Sequence, residues 1–306
     1  MENLAYSNLK LNRASKQRLD YRWIQRTREK NDSKFIPLWH DQFFINSFSF
    51  EPLSLSNELL SSKNLIEDAV LLGLNQDQAF FAIDLSFWDR DAALQFVQAS
   101  SLIDLRKLFG KLSKATADIL AYARGLLYWH RHQQFCGLCG QKTISQQGGA
   151  FRQCAYKKCN TLYFPKISPA VIMLVELLDP NPTCLLARHH NADKDHYSTL
   201  AGFVEIGESL ENAVHREVQE EVGINLIKVT YQASQAWPFP SGLMLGFRAQ
   251  ANSKTIILDK QELMDAQWFN IDQVKQRLNG DLGEHLLFHE DSIEKFLIEN
   301  WLKEHA

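Results

Sequence analysis

The stretch from Gly202 to Ile224, GFVEIGESLENAVHREVQEEVGI, constrains what this chain can fold into more than any other. At 100° per residue, Leu210, Ala213 and Val214 define a helical stripe that continues into Glu217 and Glu221, with Glu220 on its flank. Carboxylates stand where core residues belong. Glutamate is almost never fully buried without a partner, and these three also repel one another at one-, three- and four-residue spacing. A hard divalent cation such as Mg²⁺ or Mn²⁺ resolves both conflicts, because it takes oxygen ligands, keeps several waters and is completed by substrate phosphates. Arg216 adds a fixed charge that can hold one carboxylate in a set orientation. Gly202 and Gly207 permit a tight loop, Ser209 is a natural N-cap, and Gly223 sits where a helix stops in a left-handed turn. Alone, an E-x-x-E-E run is most simply a solvated acidic face; the loop and cap around this one fit a cation site as well.

A chain of 306 residues predicts two or three domains. A hydrophobic fraction of 45% and a charged fraction of 23% supply an ordinary globular core. Net charge of -3 and a pI near 6.4 argue against a protein that coats nucleic acid. Residues 1 to 34 hold nine Lys or Arg against four Asp or Glu, a mixed run that reads first as a solvated helical face and second as an RNA-binding arm. No apolar run approaches the roughly 18 to 20 residues that span a bilayer, and the start lacks the apolar core of a secretory signal. The expectation is a cytoplasmic protein that does not enter a membrane.

The five cysteines do not pair evenly. Cys136-Gly-Leu-Cys139, fourteen residues, then Cys154-Ala-Tyr-Lys-Lys-Cys159 give two close pairs on hairpin-length arms, as a tetrahedral zinc site requires. The second pair is spaced by four residues instead of the usual two. His130 and His132 are nearby, but four sulfurs complete a structural site. Before this segment, Phe35–Trp39, Ala69–Leu72 and Ala79–Leu85 read as strands, and residues 91–100 and 114–134 as helices. This first region holds no catalytic constellation and reads as structural support or a dimerisation element. After Pro165, Ala170–Val175 and Cys184–Ala187 read as buried strands, with Cys184 a core residue. His189 and His190 lack ligand spacing and are expected to be exposed.

Beyond the acidic helix, Ser234-Gln-Ala-Trp-Pro-Phe-Pro240 holds two aromatics on a backbone fixed by proline, suited either to core packing or to shaping a pocket for a base. Gly202, Glu208 and Arg216-Glu217-Val218-Gln219-Glu220-Glu221-Val222-Gly223-Ile224 resemble the Nudix box at every defining position. The proline-rich segment resembles the SQPWPFPxS signature of the NADH pyrophosphatase (NudC-like) branch, with Ala236 and Gly242 departing from it. Ser292–Ile298 resembles that branch's SIAxxLI segment, with Glu294 at the alanine. The resemblance covers roughly residues 115 to 300, and the first region also looks like the family's N-terminal domain.

This resemblance implies an α+β multidomain chain: an α+β N-terminal domain (1–131), a zinc ribbon (132–167) and a Nudix α/β/α sandwich with a mixed sheet (168–306). It implies hydrolysis of the pyrophosphate of NAD(H) to AMP and the nicotinamide mononucleotide, removal of NAD caps from RNA, and a homodimer. Arg216, Glu217, Glu220 and Glu221 would be catalytic. Those three glutamates with Glu262 would hold Mg²⁺ or Mn²⁺, and Cys136, Cys139, Cys154 and Cys159 one Zn²⁺ per chain. Phe164 and Phe203 would sandwich the nicotinamide, and Gln235, Trp237 and Phe239 would meet substrate. Two other readings stay open: a broader dinucleotide or nucleotide-sugar pyrophosphatase, favoured by Gly242 and Glu294, and a zinc-ribbon RNA-binding protein with a dormant Nudix domain, disfavoured by the intact acidic cluster.

Overall fold

The structure is a computed structural model that describes residues 4–46, 50–178, 180–192, 196–278 and 291–305. The chain divides into two compact units, one of Met1–Ser7, Ser168–Trp237 and Gly242–Ala306, the other of Asn8–Ile167 with Pro238–Ser241.

The second unit opens with helix α1 (Tyr21–Arg28), capped by Asp20, whose carboxylate accepts from the Arg22 amide. Strands β1 (Lys34–Trp39) and β2 (Gln42–Ile45), helix α2 (Asn57–Ser61), strands β3 (Val70–Asn75) and β4 (Gln78–Asp84), helix α3 (Arg90–Val97) and strand β5 (Ser101–Asp104) follow. They make a sheet in the order β3-β4-β1-β2-β5, with only β1 and β4 parallel. Phe35 and Phe81 stack at 5.0 Å in its core. Helix α4 (Lys114–His132) starts where the Ser113 hydroxyl accepts from the Thr116 amide, and it buries Leu120, Ala123, Leu126 and Leu127 at helical spacing. The basic run near the N-terminus is partly structural: Arg18 and Arg28 are buried, each donating to a backbone carbonyl of the β3 region.

Strands β6 (Thr143–Gln146), β7 (Phe151–Cys154) and β8 (Leu162–Tyr163) form a small antiparallel ribbon in this same unit. Gly149 has φ +92°, and a Cβ there would come within 2.4 Å of Val70, so only glycine allows the ribbon's hairpin to approach β3 this closely. The Arg18 guanidinium donates to the Gln147 and Gly148 carbonyls beside it.

The first unit is built on strands β9 (Ser168–Leu177), β10 (Thr183–His189) and β11 (Leu200–Phe203), helix α5 (Leu210–Val222), strands β12 (Leu226–Trp237), β13 (Gly242–Ala251) and β14 (Leu263–Asn270), and helices α6 (Ile271–Leu278) and α7 (Ile293–His305). Its sheet runs β12-β13-β9-β10-β14, β13 parallel to β9 and the other pairs antiparallel. Alternate residues of β9 go to opposite cores: Val171, Met173 and Val175 lie with α5, Ile172 and Leu174 with α7. Burial on both faces explains why this strand reads as a continuous apolar run, and the result is the expected mixed-sheet α/β/α sandwich.

Strand β10 leaves β9 after Leu185, and β11 takes over the vacated edge of β9 between Ala170 and Met173. That fork delivers the glycine loop to α5. Two segments differ from the sequence-based division at residues 131 and 167. Residues 4–7 join the first unit, where the Ala5 amide donates to the Asp291 carbonyl, and Pro238–Ser241 join the other unit, where Arg124 donates to the Pro238 carbonyl and lies 4.8 Å over the Phe239 ring.

Candidate active site

Helix α5 begins as its sequence dictates, with the Ser209 hydroxyl accepting from the Asn212 amide, and ends at Gly223 with φ +68°. Ala213, Val214, Val218 and Val222 are fully buried along its inner face, and Glu217 and Glu221 share that face at 9% and 3% exposure. Gly202 is required by this packing, since a Cβ there would lie 1.9 Å from the Glu217 carboxyl carbon. The strand must be bare where the carboxylate crosses it.

Arg216 ties loop to helix. Its Nε and Nη2 donate to the two oxygens of Glu208 at 3.1 and 2.7 Å, Nη1 donates to Glu217 at 2.8 Å and Glu220 at 3.1 Å, and Nη2 also donates to the Phe203 carbonyl. Glu208 in turn accepts from the Glu205 amide. One planar cation thus sets the loop and two of the predicted catalytic carboxylates together.

The C-terminal end of α5 is wrapped by residues 257–263. The Ile257 amide donates to the Val222 carbonyl, the Asp259 amide to the Glu221 carbonyl, and the Glu262 and Leu263 amides to the Asp259 carbonyl. This brings Glu262 and Asp259 to the helical glutamates. Asp259 escaped the sequence reading; its position three residues before Glu262 carries no periodic signal.

Burial, then the charges of Glu217, Glu262, Glu220 and Asp259, push the Glu221 carboxyl up to about 8. Burial raises Glu217 too, against the opposing pull of Arg216. Glu221 Oε2 is buried without a hydrogen-bond partner. An orphaned hard oxygen among mutually repelling carboxylates fits a divalent cation, which would supply the missing positive charge and the missing contact. The cluster is graded and open: Glu217 and Glu221 are buried, whereas Glu220 and Glu262 are exposed. Among the described residues, only the four cysteines have donor atoms that all lie within 4.8 Å of one another.

Those cysteines form a different kind of centre. Cys136 and Cys159 sulfurs are 3.6 Å apart and Cys139 and Cys154 sulfurs 3.5 Å, far beyond a disulfide bond and close to the separation of about 3.8 Å expected between thiolates around a tetrahedral zinc. Gly140, at φ +74°, turns the first knuckle, and the Tyr163 hydroxyl lies 3.1 Å from the Cys136 sulfur. The donor set is compatible with Zn²⁺. Cys184 is fully buried in the sandwich core, as expected.

The predicted substrate residues do not all converge. Phe203 is 67% exposed and lies on the sheet face opposite Gly202 and Glu217; it pairs with Ala170, which pairs on its other side with Met244, so the three form one row. Trp237 ends β12 opposite Gly242. Phe164 and Phe239 belong to the other unit, Phe164 beside Phe151 and Phe239 under Arg106 and Arg124. Gln235 corrects the expectation that it meets substrate. It is fully buried, its Nε2 donates to the Ala5 and Asp291 carbonyls, and its Oε1 accepts from the Ile293 amide, so its amide group is already in use.

Two of the three departures, Gly242 and Glu294, have defined local surroundings. A Cβ at Gly242 would come within 3.1 Å of the Trp237 carbonyl, so a serine here would require that carbonyl to shift by a few tenths of an ångström. Glu294 turns its Oε1 to the Thr199 amide at 2.7 Å, at the fork where β10 and β9 separate. Its side chain bridges α7 to the start of β11. His189 ends β10 in an exposed position, and His190 contacts the Lys260 carbonyl.

The NUDIX domain profile matches residues 167–289, and the profile described as NADH pyrophosphatase-like rudimentary NUDIX domain matches residues 32–129. The chain is 38% identical over 262 residues to the chloroplastic Nudix hydrolase 19 of Arabidopsis thaliana, covering 81% of this chain and 58% of that protein. It is 40% identical over 225 residues to the mitochondrial NAD(P)H pyrophosphatase of Homo sapiens, covering 70% and 62%. With the NAD-capped RNA hydrolase NudC of Deinococcus radiodurans it shares 37% identity over 226 residues, covering 73% of this chain and 78% of the relative. The match thus spans about three-fifths of the first two relatives and more than two-thirds of the third.

Proposed function

This chain belongs to the NudC-like family of Nudix hydrolases, and from that premise we propose that it hydrolyses the central pyrophosphate of NAD(H) to AMP and the nicotinamide mononucleotide, and removes NAD caps from RNA. The observation that carries this reading is the buried, unanswered Glu221 oxygen beside Glu217 and Glu262 at the end of a loop held by Arg216. A module that only binds has no use for such a cluster, which costs stability unless a cation occupies it.

Glu217, Glu220, Glu221 and Glu262 would hold Mg²⁺ or Mn²⁺, with Asp259 near enough to add its charge. When bound, such ions neutralise phosphate charge and lower the pKa of a coordinated water toward 7. The chain's own part is positioning. Arg216 fixes the orientation of Glu217 and Glu220 and, through Glu208, the loop between β11 and α5. Glu221 either ligates through Oε2 or takes the proton of the attacking water. The exposed Phe203 ring, one residue beyond Gly202, offers a flat apolar surface to a nicotinamide or adenine ring at the end of a dinucleotide. Charge stabilisation and alignment then supply most of the acceleration, as in other phosphoryl chemistry. We also assign Zn²⁺ to the four cysteines, as a structural ion, and a dimeric assembly to the enzyme; sedimentation of the purified protein tests the latter.

The reading is tested by incubating the protein with Mg²⁺ or Mn²⁺ and NADH, NAD, ADP-ribose or NAD-capped RNA and resolving products by chromatography. AMP with the nicotinamide mononucleotide, and a 5′-monophosphate on the RNA, are expected. Intact NADH and NAD after long incubation would overturn it. Cleavage of ADP-ribose as fast as NADH supports the broader pyrophosphatase instead, a reading favoured by the missing hydroxyl at Gly242.

A further inference from the structure

A cleft of about 470 Å³ lies within the other unit, between the five-stranded sheet, the end of α4 and the ribbon. Its volume is in the range of small-molecule sites, and no part of the chemistry above uses it. Its lining carries both signs of charge. Glu67, Asp68 and Asp84 line it together with Arg131, Lys142 and Arg152.

The cations are not equivalent. Arg131 is spent on Asp41 and Asp84, at 2.5 and 3.1 Å. Arg152 is held just as firmly but without an anion: its Nε donates to the Thr143 hydroxyl at 2.7 Å, its Nη2 to the Thr143 carbonyl at 2.9 Å, and its Nη1 to His130 Nδ1 at 3.1 Å. His130 Nε2 lies 2.9 Å from the Gly149 carbonyl, so the ring proton sits on Nε2 and Nδ1 is free to accept. Burial pushes His130 down to about 4, which keeps the ring neutral at pH 7. Arg152 is therefore a half-buried, rigid cation whose bonds all go to neutral acceptors. Lys142 is exposed in the same lining and forms an isolated antiparallel bridge with Phe135. Phe135 itself is 56% exposed at the cleft wall.

This lining suits a ligand with one phosphate and one flat ring. The fixed Arg152 guanidinium and the exposed Lys142 ammonium share the cleft and can both meet an anion, the Phe135 ring can stack on a base, and the lining carboxylates can accept from ring amino groups while repelling a polyphosphate. We propose that this cleft is a second, non-catalytic nucleotide site that takes the phosphate of a nucleoside monophosphate on Arg152 and Lys142 and its base on Phe135. The inference stands apart from the catalytic reading, since none of its residues belongs to the carboxylate cluster.

The test is calorimetric titration of the zinc-loaded, full-length protein, free of added Mg²⁺ and Mn²⁺, with AMP, with inorganic phosphate, and with a 5′-phosphorylated tetranucleotide RNA. AMP or the RNA should bind, and Lys142→Glu should weaken that binding about tenfold or more, with Arg152→Met acting in the same direction. Which of the two binds more tightly identifies the source as free nucleotide or RNA end. NADH turnover and zinc content of Lys142→Glu should match the parent. Unchanged affinity in Lys142→Glu, or competition by inorganic phosphate as effective as AMP, would overturn the proposal. Binding that persists in a protein unable to cleave NADH would retain the site and reject only the catalytic reading.

Discussion

The ribbon's four sulfurs and the sandwich's four glutamates are both candidate cation centres, built on opposite plans. The sulfurs lie within 4.8 Å of one another on two knuckles and leave no open position. The glutamates grade from buried Glu221 to exposed Glu220 and Glu262, are cross-braced by Arg216, and leave one buried oxygen without a partner. A closed soft-ligand set holds a fold together; an open hard-ligand set leaves room for phosphate and water. Position follows the same division, with the thiols among short ribbon strands that have little core of their own and three of the carboxylates on a helix whose apolar residues are anchored in a full core. Losing the first ion should therefore damage folding, and losing the second should damage only turnover.

The strongest attack on this contrast is Cys136→Ser. Structural zinc contributes on the order of 10 kcal/mol to the folding of small ribbons, so the variant should be purified without zinc and should melt well below the parent. Full zinc content by atomic absorption would break the comparison at the thiol side. Next comes Glu221→Gln, which should lower kcat by roughly a thousandfold, about 4 kcal/mol, and leave zinc in place. It should also change the pH dependence of stability. The Glu221 carboxyl of the metal-free folded protein sits near 8, above its ordinary 4.5, so the folded state holds the proton more tightly than the unfolded chain. Stability contributed by that proton is complete below about pH 4.5 and is lost as pH rises through 8. Metal-free parent protein should accordingly lose melting temperature across that window, and the glutamine variant should lose less.

Two smaller effects sharpen the contrast. Arg216→Lys keeps a charge but cannot bridge Glu208 bidentately while reaching Glu217, so kcat should fall roughly 10- to 100-fold with little change in melting temperature. Tyr163→Phe removes the hydroxyl beside Cys136 and should weaken zinc retention by about tenfold in a chelator competition without altering kcat. A variant of either kind that shifted both quantities equally would mean that the two centres are not independent.

Much of this was legible in the sequence because two strong local signals coincide with the two centres. Glu217 and Glu221 stand out since they interrupt an apolar helical stripe, and the cysteines stand out by spacing. The strands of the sandwich core were readable for the same reason, as Val171 to Val175 are buried on both faces. What escaped depends on distant pairing. Gln235 is a polar residue in a strand, and its partners Ala5 and Asp291 are 230 and 56 residues away. Asp259 reaches the site through a backbone bond to the end of α5 that no periodicity announces. His130 looked like an idle neighbour of the cysteines; its role in holding Arg152 emerges only once α4 and the ribbon are together.

The claim on which the account turns is that buried carboxylates at the end of α5 grip a divalent cation. Titration with Mn²⁺ followed by electron paramagnetic resonance, on zinc-loaded parent and Glu221→Gln proteins, measures it without relying on any substrate. The parent is expected to hold a Mn²⁺ site that is lost or weakened at least tenfold in the variant, with zinc unchanged. Equal Mn²⁺ binding by the two proteins would contradict it.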